Sequence, residues 1–479
     1  MSVFDTPHRQ QFFIGGDWIT LEGPRDHITV HNPNTGAVLA SVTGGTAEDA
    51  DRAVAAARTA FTSWSETSPA ERADLLEAIG AEMDKRKDAL AATVCAELGC
   101  PRHLTEQFHV AIGIGIWGKT ADLVRNYAWE THVGGAEVLR EPLGVIGVLT
   151  PWNGPVTSVA KKLAAVMGAG CTAVSKPSEH TPFSAILIAE AIEAAGAPAG
   201  LVNMVQGLGK TVGARIAAHP QVDGITLTGS VGAGVAISKA GADNLKRMCL
   251  ELGGKSANIL LNDDGFAEAV KRGTVATMLN TGQVCFSPTR MLVPKLRLAE
   301  AEAIASAVAD GLPVGPADQE GVMVGPLVSA EQYERVTGYI RIGIDEGARL
   351  IAGGPERPDG LETGYFVRPT VFSDVTNQMR IVREEIFGPV LSILPYDDLD
   401  HAVEIANDSP FGLAAHVNGS DTDALRMLSR RLRAGSVYLN GATMSFDAPF
   451  GGYKMSGQGR EHGAMGLEEF LETKAVLGL

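Results

Sequence analysis

The chain has 479 residues, of which 45% are hydrophobic and 20% are charged, the usual balance of a globular protein. One hydrophobic core rarely organises so long a chain, so we expect two or three domains. The formal net charge of -16 repels polyanions and therefore argues against nucleic-acid and anionic membrane partners.

The cysteine content and the start of the chain both bear on its compartment. The segment MSVFDTPHRQ has no basic region followed by an apolar run, and no long uncharged apolar stretch occurs elsewhere. Five cysteines in a chain of this size are typical of a reducing compartment, so we expect a cytoplasmic protein. Cys95, Cys100 and His103 lie close in sequence, but without a second cysteine pair they predict no metal site.

Two helices in the first hundred residues are predicted from their caps. Thr46 and Asp49 form a capping-box pattern before ADRAVAAARTAF. Ser68, Pro69 and Glu71 form the same pattern before RADLLEAIGAEMDKRKDALAATV, which is predicted as the second helix.

From about residue 143, short apolar runs alternate with helical patterns. LGVIGVLT, TAVSKP, GLVNMV and GITLTG are typical of strands, and each is followed by a helical segment such as VAKKLAAVMGAG. Continuous apolar strands between helices predict βαβ units and a parallel sheet that is covered on both faces. A second series of this kind begins at SANILL (256–261) and runs to about residue 440. We therefore expect two α/β domains with a cleft between them.

Two glycine-rich turns each follow a predicted strand and open a predicted helix. Gly207, Gly209 and Gly213 give the spacing G-x-G-x-x-x-G, and TGSVGAG spans 228–234. Met204 stands where a phosphate-binding P-loop needs glycine, which argues against that motif. Backbone N–H groups at such helix starts can hold a pyrophosphate, and close chain packing at the turn is the alternative. Spacing alone leaves both interpretations open.

Five further stretches carry side chains that could perform chemistry, and several lie at strand ends, where ligands gather in α/β sheets. Each also has an ordinary structural interpretation, such as a turn for Asn153, a solvated surface acid for Glu251, or a buried core residue for Cys285. The stretches are TPWNGPV (150–156), SKPSE (175–179), ELGGKS (251–256), TGQVCFSPTR (281–290) and EEIFGPV (384–390). No single stretch decides between structure and chemistry.

Taken together and in this order, the five stretches match a known pattern. With the closing segment PFGGYKMSGQGREHGAMGLEEF (449–470) and the 34-residue gap from Glu251 to Cys285, the chain resembles the aldehyde dehydrogenase superfamily over nearly its whole length. The resemblance implies an α/β fold with two doubly wound parallel-sheet domains, one Rossmann-like for the cofactor and one catalytic, plus a small β oligomerisation element. The implied limits are 1–123 and 143–250 for the NAD-binding domain, 251–440 for the catalytic domain, and 124–142 with 441–479 for the oligomerisation element and substrate-tunnel wall.

The resemblance also assigns the catalytic roles. Cys285 matches the nucleophile that attacks the aldehyde carbon to give a thiohemiacetal and then a thioester. Asn153 matches the side chain that stabilises the oxyanion together with the backbone N–H of Cys285. Glu251 matches the general base that activates water, so hydrolysis to the free acid is favoured over transfer to coenzyme A. Lys162 matches a lysine that supports this site.

On the cofactor side, the resemblance favours NAD over NADP. Lys176 and Glu179 match residues at the adenosine ribose, where a carboxylate would repel a 2′-phosphate. Glu385 matches the residue that holds the nicotinamide ribose. The full implied set is Thr150, Trp152, Lys176, Ser178, Glu179, Gly209, Gly213, Gly229, Ser230, Leu252, Glu385 and Phe387.

Departures from the family pattern predict an enlarged substrate pocket. Gly154 stands where many relatives carry a bulky aromatic residue, and Lys161 is among the residues that replace larger apolar ones. The freed space predicts a medium or bulky hydrophobic aldehyde, aromatic or terpenoid, rather than acetaldehyde. The predicted pocket residues are Gly154, Thr157, Ser158, Val284, Phe286 and Phe450. A homodimer or homotetramer is implied.

Two alternatives belong to other functional classes. A cysteine hydrolase or esterase without a redox cofactor would need a histidine partner for Cys285, and no histidine lies in a recognisable motif. Some members of the superfamily are non-catalytic structural proteins, which the presence of Cys285, Glu251 and Asn153 argues against.

Overall fold

The computed structural model describes residues 3–21, 23 and 25–478, so residues 1, 2, 22, 24 and 479 of the predicted domain limits lie outside the described part. The described residues form strands and helices in alternation. The strands are β1 Gln11–Ile14, β2 Asp17–Thr20, β3 His27–His31, β4 Val38–Thr43, β5 Glu130–Val133, β6 Ala136–Pro142, β7 Val145–Leu149, β8 Thr172–Lys176, β9 Val202–Met204, β10 Gly224–Thr228, β11 Arg247–Glu251, β12 Ala257–Leu260, β13 Arg290–Pro294, β14 Arg349–Ala352, β15 Thr370–Ser373, β16 Val390–Tyr396, β17 Phe411–Gly412, β18 Ala414–Asn418, β19 Ser436–Leu439, β20 Tyr453–Lys454, β21 Gly457–Gln458 and β22 Leu471–Leu477.

The helices begin where the sequence supplies caps. Thr46 and Ser68 each make both hydrogen bonds of a capping box, as predicted. The helices are α1 Ala47–Trp64, α2 Pro69–Asp84, α3 Lys87–Glu97, α4 Arg102–Leu104, α5 Ile112–Asn126, α6 Pro155–Gly168, α7 Pro182–Ala194, α8 Ala214–Ala218, α9 Val231–Gly241, α10 Phe266–Met278, α11 Leu298–Gly311, α12 Ala330–Asp345, α13 Arg380–Arg383, α14 Leu399–Asn407, α15 Thr422–Arg431 and α16 Gly463–Glu468.

The first large sheet of the described residues has the strand order β2-β1-β9-β8-β7-β10-β11-β21. Its five central strands, β9 to β11 in that order, run parallel, and antiparallel strands close both ends. One face packs on α2, α5, α6 and α7, and the other on α1, α8 and α9. Apolar strands buried on both faces give the predicted doubly wound layer.

The second large sheet has the order β14-β15-β16-β13-β12-β18-β19, and all its pairs except β14 with β15 are parallel. Helices α12, α14 and α15 cover one face, and α10 and α11 cover the other. A separate antiparallel sheet has the order β22-β6-β5. The segment after residue 450 crosses the molecule, because β20 pairs with β17 and β21 pairs with β11 before β22 joins β6.

One predicted helix is interrupted. The stretch after Ser68 is divided into α2 and α3, because Arg86 leaves the helical conformation with φ −105° and ψ 5°. Its guanidinium donates to the carbonyl of Glu82 at 2.8 Å, which satisfies a group that the break would leave free. Neither glycine nor proline marks the break, so the sequence gives no local signal for it.

Across residues 3–21, 23 and 25–478, no helix is long and apolar enough to cross a bilayer.

Candidate active site

The carboxyl ends of the parallel strands in the first sheet carry most of the predicted site. β7 leads into Asn153, β8 ends at Lys176, β10 leads into Gly229, and β11 ends at Glu251. In the second sheet the predicted residues come before their strands, since Cys285 precedes β13 and Glu385 precedes β16. The carboxyl edge of one sheet therefore meets the amino edge of the other, and the site lies where these edges meet.

Cys285 is presented by a loop with an unusual backbone. Asn280, Thr281 and Gly282 have φ angles of 49°, 58° and 69°, three consecutive residues in the left-handed region. A Cβ on Gly282 would lie 2.1 Å from the backbone of Gly388, so only glycine fits there. The loop is thereby pressed against the segment that carries Glu385.

Side-chain hydrogen bonds hold this loop in place. Asn153 Nδ2 donates to the carbonyl of Gln283 at 2.9 Å, and Asn280 Nδ2 donates to the carbonyl of Asn153 at 3.1 Å. Gln283 Oε1 accepts from the backbone of Val328 at 3.0 Å. Asn153 is thus positioned beside the cysteine loop, with its amide engaged by the Gln283 carbonyl.

The Gly253–Gly254 turn joins Glu251, Cys285 and Glu385. A Cβ on Gly254 would lie 2.3 Å from the carbonyl oxygen of Cys285, and a Cβ on Gly253 would lie 2.1 Å from Oε2 of Glu385. Gly254 N–H also donates to Glu385 Oε1 at 2.9 Å. The absence of side chains at these two glycines allows the three functional groups to converge.

A buried group of charges surrounds Glu251. Glu461 forms ion pairs with Lys161 and Lys162, each at 2.5 Å, and Lys162 also donates to Thr226 Oγ1 at 2.8 Å. Within the described part of the chain, neither carboxyl oxygen of Glu251 has a hydrogen-bond partner, although the residue is only 2% exposed. Burial raises the pKa of Glu251 well above its ordinary value, and the Glu461 carboxylate raises it further.

The pKa values of two groups near Glu251 shift in opposite directions. Burial would raise the pKa of Glu461, but Lys161 and Lys162 together hold it well below its ordinary value. Cys285 is partly exposed, and the surrounding protein raises the pKa of its thiol by burial to about 12 against the opposing charge of Lys161. The isolated thiol is therefore protonated at neutral pH, and a base must take its proton before it attacks.

Polar groups gather at the ends of β8 to β10. Lys176 Nζ donates to the carbonyls of Pro177 and Gly207, both at 2.8 Å, and to Glu179 Oε2 at 3.2 Å. Burial would raise the pKa of Glu179, but the Lys176 ammonium holds it below its ordinary value, so the carboxylate is charged. A Cβ on Gly213 would contact the Lys176 side chain at 3.6 Å, which brings the first glycine-rich turn to the same place.

Rings line both sides of the cysteine loop. Trp152 contacts Phe387 edge to face with a centroid distance of 5.3 Å. On the other side Phe286 lies 6.0 Å from Phe450, and Phe450 stacks on His462 at 5.7 Å. A cavity of about 240 Å³ opens beyond these rings, with Lys161 and His462 among its walls.

Comparisons with known proteins agree with this geometry. Residues 18–476 match the model of the aldehyde dehydrogenase family. A 3-succinoylsemialdehyde-pyridine dehydrogenase from a Pseudomonas species is 47% identical over 470 residues, which cover 98% of both chains. The chain belongs to the aldehyde dehydrogenase family. This aldehyde dehydrogenase also superposes on a variant of aldehyde dehydrogenase C from Pseudomonas syringae, solved with NAD+ and octanal, with a TM-score of 0.97. Identity to that structure is 47%, over 98% of this chain and 97% of the other.

A second solved relative is more distant in sequence. An aldehyde dehydrogenase from Mycobacterium tuberculosis, solved with NAD+, is 40% identical, with a TM-score of 0.95 and 98% of each chain covered. The likeness confirms the predicted family and the α/β class with its parallel-sheet domains. This aldehyde dehydrogenase is accordingly an oxidoreductase.

The remaining predicted residues of this aldehyde dehydrogenase lie near the same edges. Ser230 caps α9 by accepting from Ala233 N–H at 3.2 Å, and Leu252 packs against Gly234 of that helix. Thr150 and Ser178 are both buried at the ends of β7 and β8, whereas Gly209 faces open space. Gly154, Thr157 and Ser158 lie at the start of α6, and Val284 and Phe286 flank Cys285.

Sequence reasoning did not single out four residues that the structure brings to the site. Glu461 and His462 lie in the GREH stretch of the closing segment, which was matched to the family as a whole. Asn280 and Gln283 adjoin the cysteine, and their backbone-directed hydrogen bonds depend on a left-handed turn. One signal for Glu461 was present in the sequence. Lys161 and Lys162 are adjacent lysines on an otherwise apolar helix, and buried lysines need an acidic partner.

Proposed function

We propose that this enzyme oxidises an aldehyde to the carboxylic acid with NAD as hydride acceptor, through a thiohemiacetal and a thioester on Cys285. The observation that carries the proposal is the meeting of Cys285, Asn153 and Glu251 at the facing edges of the two sheets. A nucleophile, an oxyanion donor and a base are the groups that this reaction requires.

The protein's groups act in sequence. The Cys285 thiol loses its proton to solvent water, and the sulfur attacks the aldehyde carbon to form a C–S bond. The oxygen becomes an oxyanion, which accepts hydrogen bonds from Asn153 Nδ2 and from the Cys285 backbone N–H. To donate there, Asn153 exchanges its bond to Gln283 for one to the oxyanion. Hydride would then leave the aldehyde carbon for bound NAD, and the carbonyl that re-forms makes the thioester. Glu251 takes a proton from water, whose oxygen attacks the thioester carbon; the C–S bond breaks, and the Cys285 thiolate and the carboxylic acid are released.

The residues of the first sheet suit a dinucleotide. Glu179 offers a charged carboxylate to ribose hydroxyls, and its charge would repel a 2′-phosphate, which favours NAD over NADP. The N-terminus of α9 at Gly229 and Ser230 can hold the pyrophosphate, and Glu385 and Phe387 can hold the nicotinamide ribose and ring. When bound, NAD accepts the hydride that leaves the aldehyde carbon. The NAD+ complexes of the two solved relatives support this assignment.

The pocket suits an aldehyde of medium or large size. Gly154 places no side chain at the start of α6, and a Cβ there would crowd the hydroxyls of Thr157 and Ser158 at 3.0 Å, so the position excludes a bulky residue. Phe286 and Phe450 supply an aromatic wall next to the nucleophile. The octanal bound by the Pseudomonas syringae enzyme, and the pyridine-bearing substrate named for the Pseudomonas relative, are both larger than acetaldehyde.

We also propose that the small sheet β22-β6-β5 joins copies of the chain as a homodimer or homotetramer. Both of its outer strands have one edge without a partner in the described residues, and such edges readily pair with another chain. We further propose that the domains have the limits given in the sequence analysis.

The test is a panel of aldehydes with NAD and NADP side by side. We expect NADH absorbance to rise only with an aldehyde and NAD together, and the product to be the free acid. Cys285→Ala should abolish turnover while NAD binding, measured by fluorescence quenching, is kept. Turnover by Cys285→Ala at the wild-type rate would contradict the mechanism.

A cysteine hydrolase remains the second candidate by chemistry, but the geometry gives it little support. His416 Nε2 contacts the carbonyl of Phe286 at 3.2 Å, and burial lowers the pKa of this histidine to about 4. Among the described residues, no histidine is hydrogen-bonded to the Cys285 sulfur. Ester hydrolysis at full rate without NAD would favour that candidate.

A further inference from the structure

The cavity beyond Cys285 has polar groups where the aromatic wall ends. A continuous row of rings leads from the residue after the nucleophile outward: Phe286, Phe450, His462 and Phe446, with successive centroid distances of 6.0, 5.7 and 4.7 Å. The cavity of about 240 Å³ adjoins the outer part of this row. A substrate whose aldehyde reaches Cys285 would therefore extend past Phe450 into the cavity.

Lys161 brings a cation to the inner wall of this cavity. Its ammonium lies 5.8 Å from the centroid of Phe450 and pairs with Glu461 Oε2. The two groups lie 2.5 Å apart, so one N–H of the ammonium is directed at the Glu461 carboxylate. An ammonium has three N–H donors, so Lys161 can donate to an acceptor in the cavity while it stays beside Glu461.

His462 adds a second unsatisfied group on the same wall. Both ring nitrogens are buried, and neither has a hydrogen-bond partner in the described residues. Burial lowers the pKa of His462 to about 3, so the ring is neutral and offers one donor and one acceptor. Neither nitrogen is open to the cavity in this conformation, so a ligand bonds to His462 after the ring rotates, and the bond then satisfies a costly unpartnered atom.

The charges around the cavity favour a ligand that accepts hydrogen bonds. Two ammonium groups, Lys161 and Lys162, share the single carboxylate of Glu461. Glu251, the other acid of the cluster, has its pKa raised by burial and is the less readily charged of the two. Of this cluster Lys161 lines the cavity, and an oxygen or ring-nitrogen acceptor there would be attracted to its ammonium.

We propose that Lys161 and His462 are specificity-determining residues that select aldehydes with a hydrogen-bond acceptor in the chain between the aldehyde and the apolar tail. The inference rests on the proposed function, because it refines the substrate class of the same site. Apolar side chains such as Ile116 and Leu123 line the cavity further out and accept the tail.

The test compares two aldehydes of nearly equal size, phenylbutanal and benzoylpropanal, which differ by a ketone in place of one methylene. We expect wild-type kcat/KM to be about tenfold higher for benzoylpropanal, since a hydrogen bond from a charged donor is worth roughly that factor. Lys161→Met should remove most of this preference by raising KM for the ketone, whereas the loss of its charge near Glu251 and Cys285 should lower kcat for both aldehydes by the same factor. His462→Leu should reduce the preference and His462→Gln should retain it.

Lys119→Met is the matched control. Lys119 lines the same cavity, but its ion pair with Asp447 at 2.9 Å is exposed to water. An exposed charge contributes little to binding, so in Lys119→Met the ratio of the kcat/KM values for the two aldehydes should equal the wild-type ratio. Butanal and succinic semialdehyde form a second pair that tests whether a carboxylate is an equally good acceptor.

Two kinds of result would overturn the proposal, and only the second would also overturn the proposed function. Equal kcat/KM for both aldehydes in the wild type, or an equal loss for both in a Lys161→Met variant that melts like the wild type, would refute the selection alone. Absence of NADH production with either aldehyde would refute the proposed function and this inference with it.

Discussion

At the scale of single residues, the proposed role of Glu251 as the base for thioester hydrolysis predicts a pH dependence. Its carboxyl is buried and unpartnered, and its pKa is raised above the ordinary 4.5. Only the ionised form is a base, so the rate of thioester hydrolysis should be low at acidic pH and rise as pH passes through the raised pKa. We expect Glu251→Gln to lower steady-state kcat by about 10² to 10⁴ and to flatten this pH dependence.

Rapid mixing separates this role from a structural one. Glu251→Gln should still give an initial burst of NADH equal to the enzyme concentration, because hydride transfer precedes hydrolysis. Glu384→Gln is the matched control, since Glu384 pairs with Arg380 at the surface and lies outside the cluster. A variant without a burst, or with wild-type steady-state turnover, would refute the assignment.

At the scale of elements, the loop of residues 280–285 carries the strongest backbone constraint in the site. A methyl group on Gly282 would lie 2.1 Å from Gly388, and its φ of 69° disfavours any other residue. We expect Gly282→Ala to destabilise the fold by more than about 1 kcal/mol in urea unfolding. Activity should fall by about 10²-fold, because a displaced nucleophile loses its alignment.

A glycine in open space provides the comparison. Gly338 lies within α12, and a Cβ there would contact nothing within 4 Å. Gly338→Ala should therefore stabilise the protein by up to about 1 kcal/mol and keep wild-type activity. If both alanine variants behaved alike, the close approach of Gly282 to Gly388 would not constrain the nucleophile.

The elements also explain how much of the molecule the sequence predicts. Apolar runs between capped helices are local signals, so the two covered sheets and the capping boxes at Thr46 and Ser68 were predictable. The split between α2 and α3 was not, because neither proline nor glycine marks the break and the bond from Arg86 to the Glu82 carbonyl is visible only in the structure. Glu461 was missed for a different reason, since the lysines that it pairs with lie about 300 residues earlier in the chain.

At the scale of the whole molecule, the small sheet has two chemically different faces. Leu477, Ala136 and Val133 share one row of the ladder, and Ala475, Val138 and Thr131 share the next row on the same face. The other face carries charged side chains such as Glu137 and Lys474. Leu477 and Val133 are 77% and 66% exposed in the single chain, so a second copy that covers this face would bury them.

This difference between the faces predicts how the assembly can be broken. Leu477→Asp should raise the dissociation constant of the oligomer about 30-fold, since burial of one leucine contributes about 2 kcal/mol. Val476→Asp is the control, because its side chain points to the opposite face. Sedimentation velocity over a range of concentrations measures both. Dissociation by Val476→Asp with an intact Leu477→Asp oligomer would place the contact on the charged face instead.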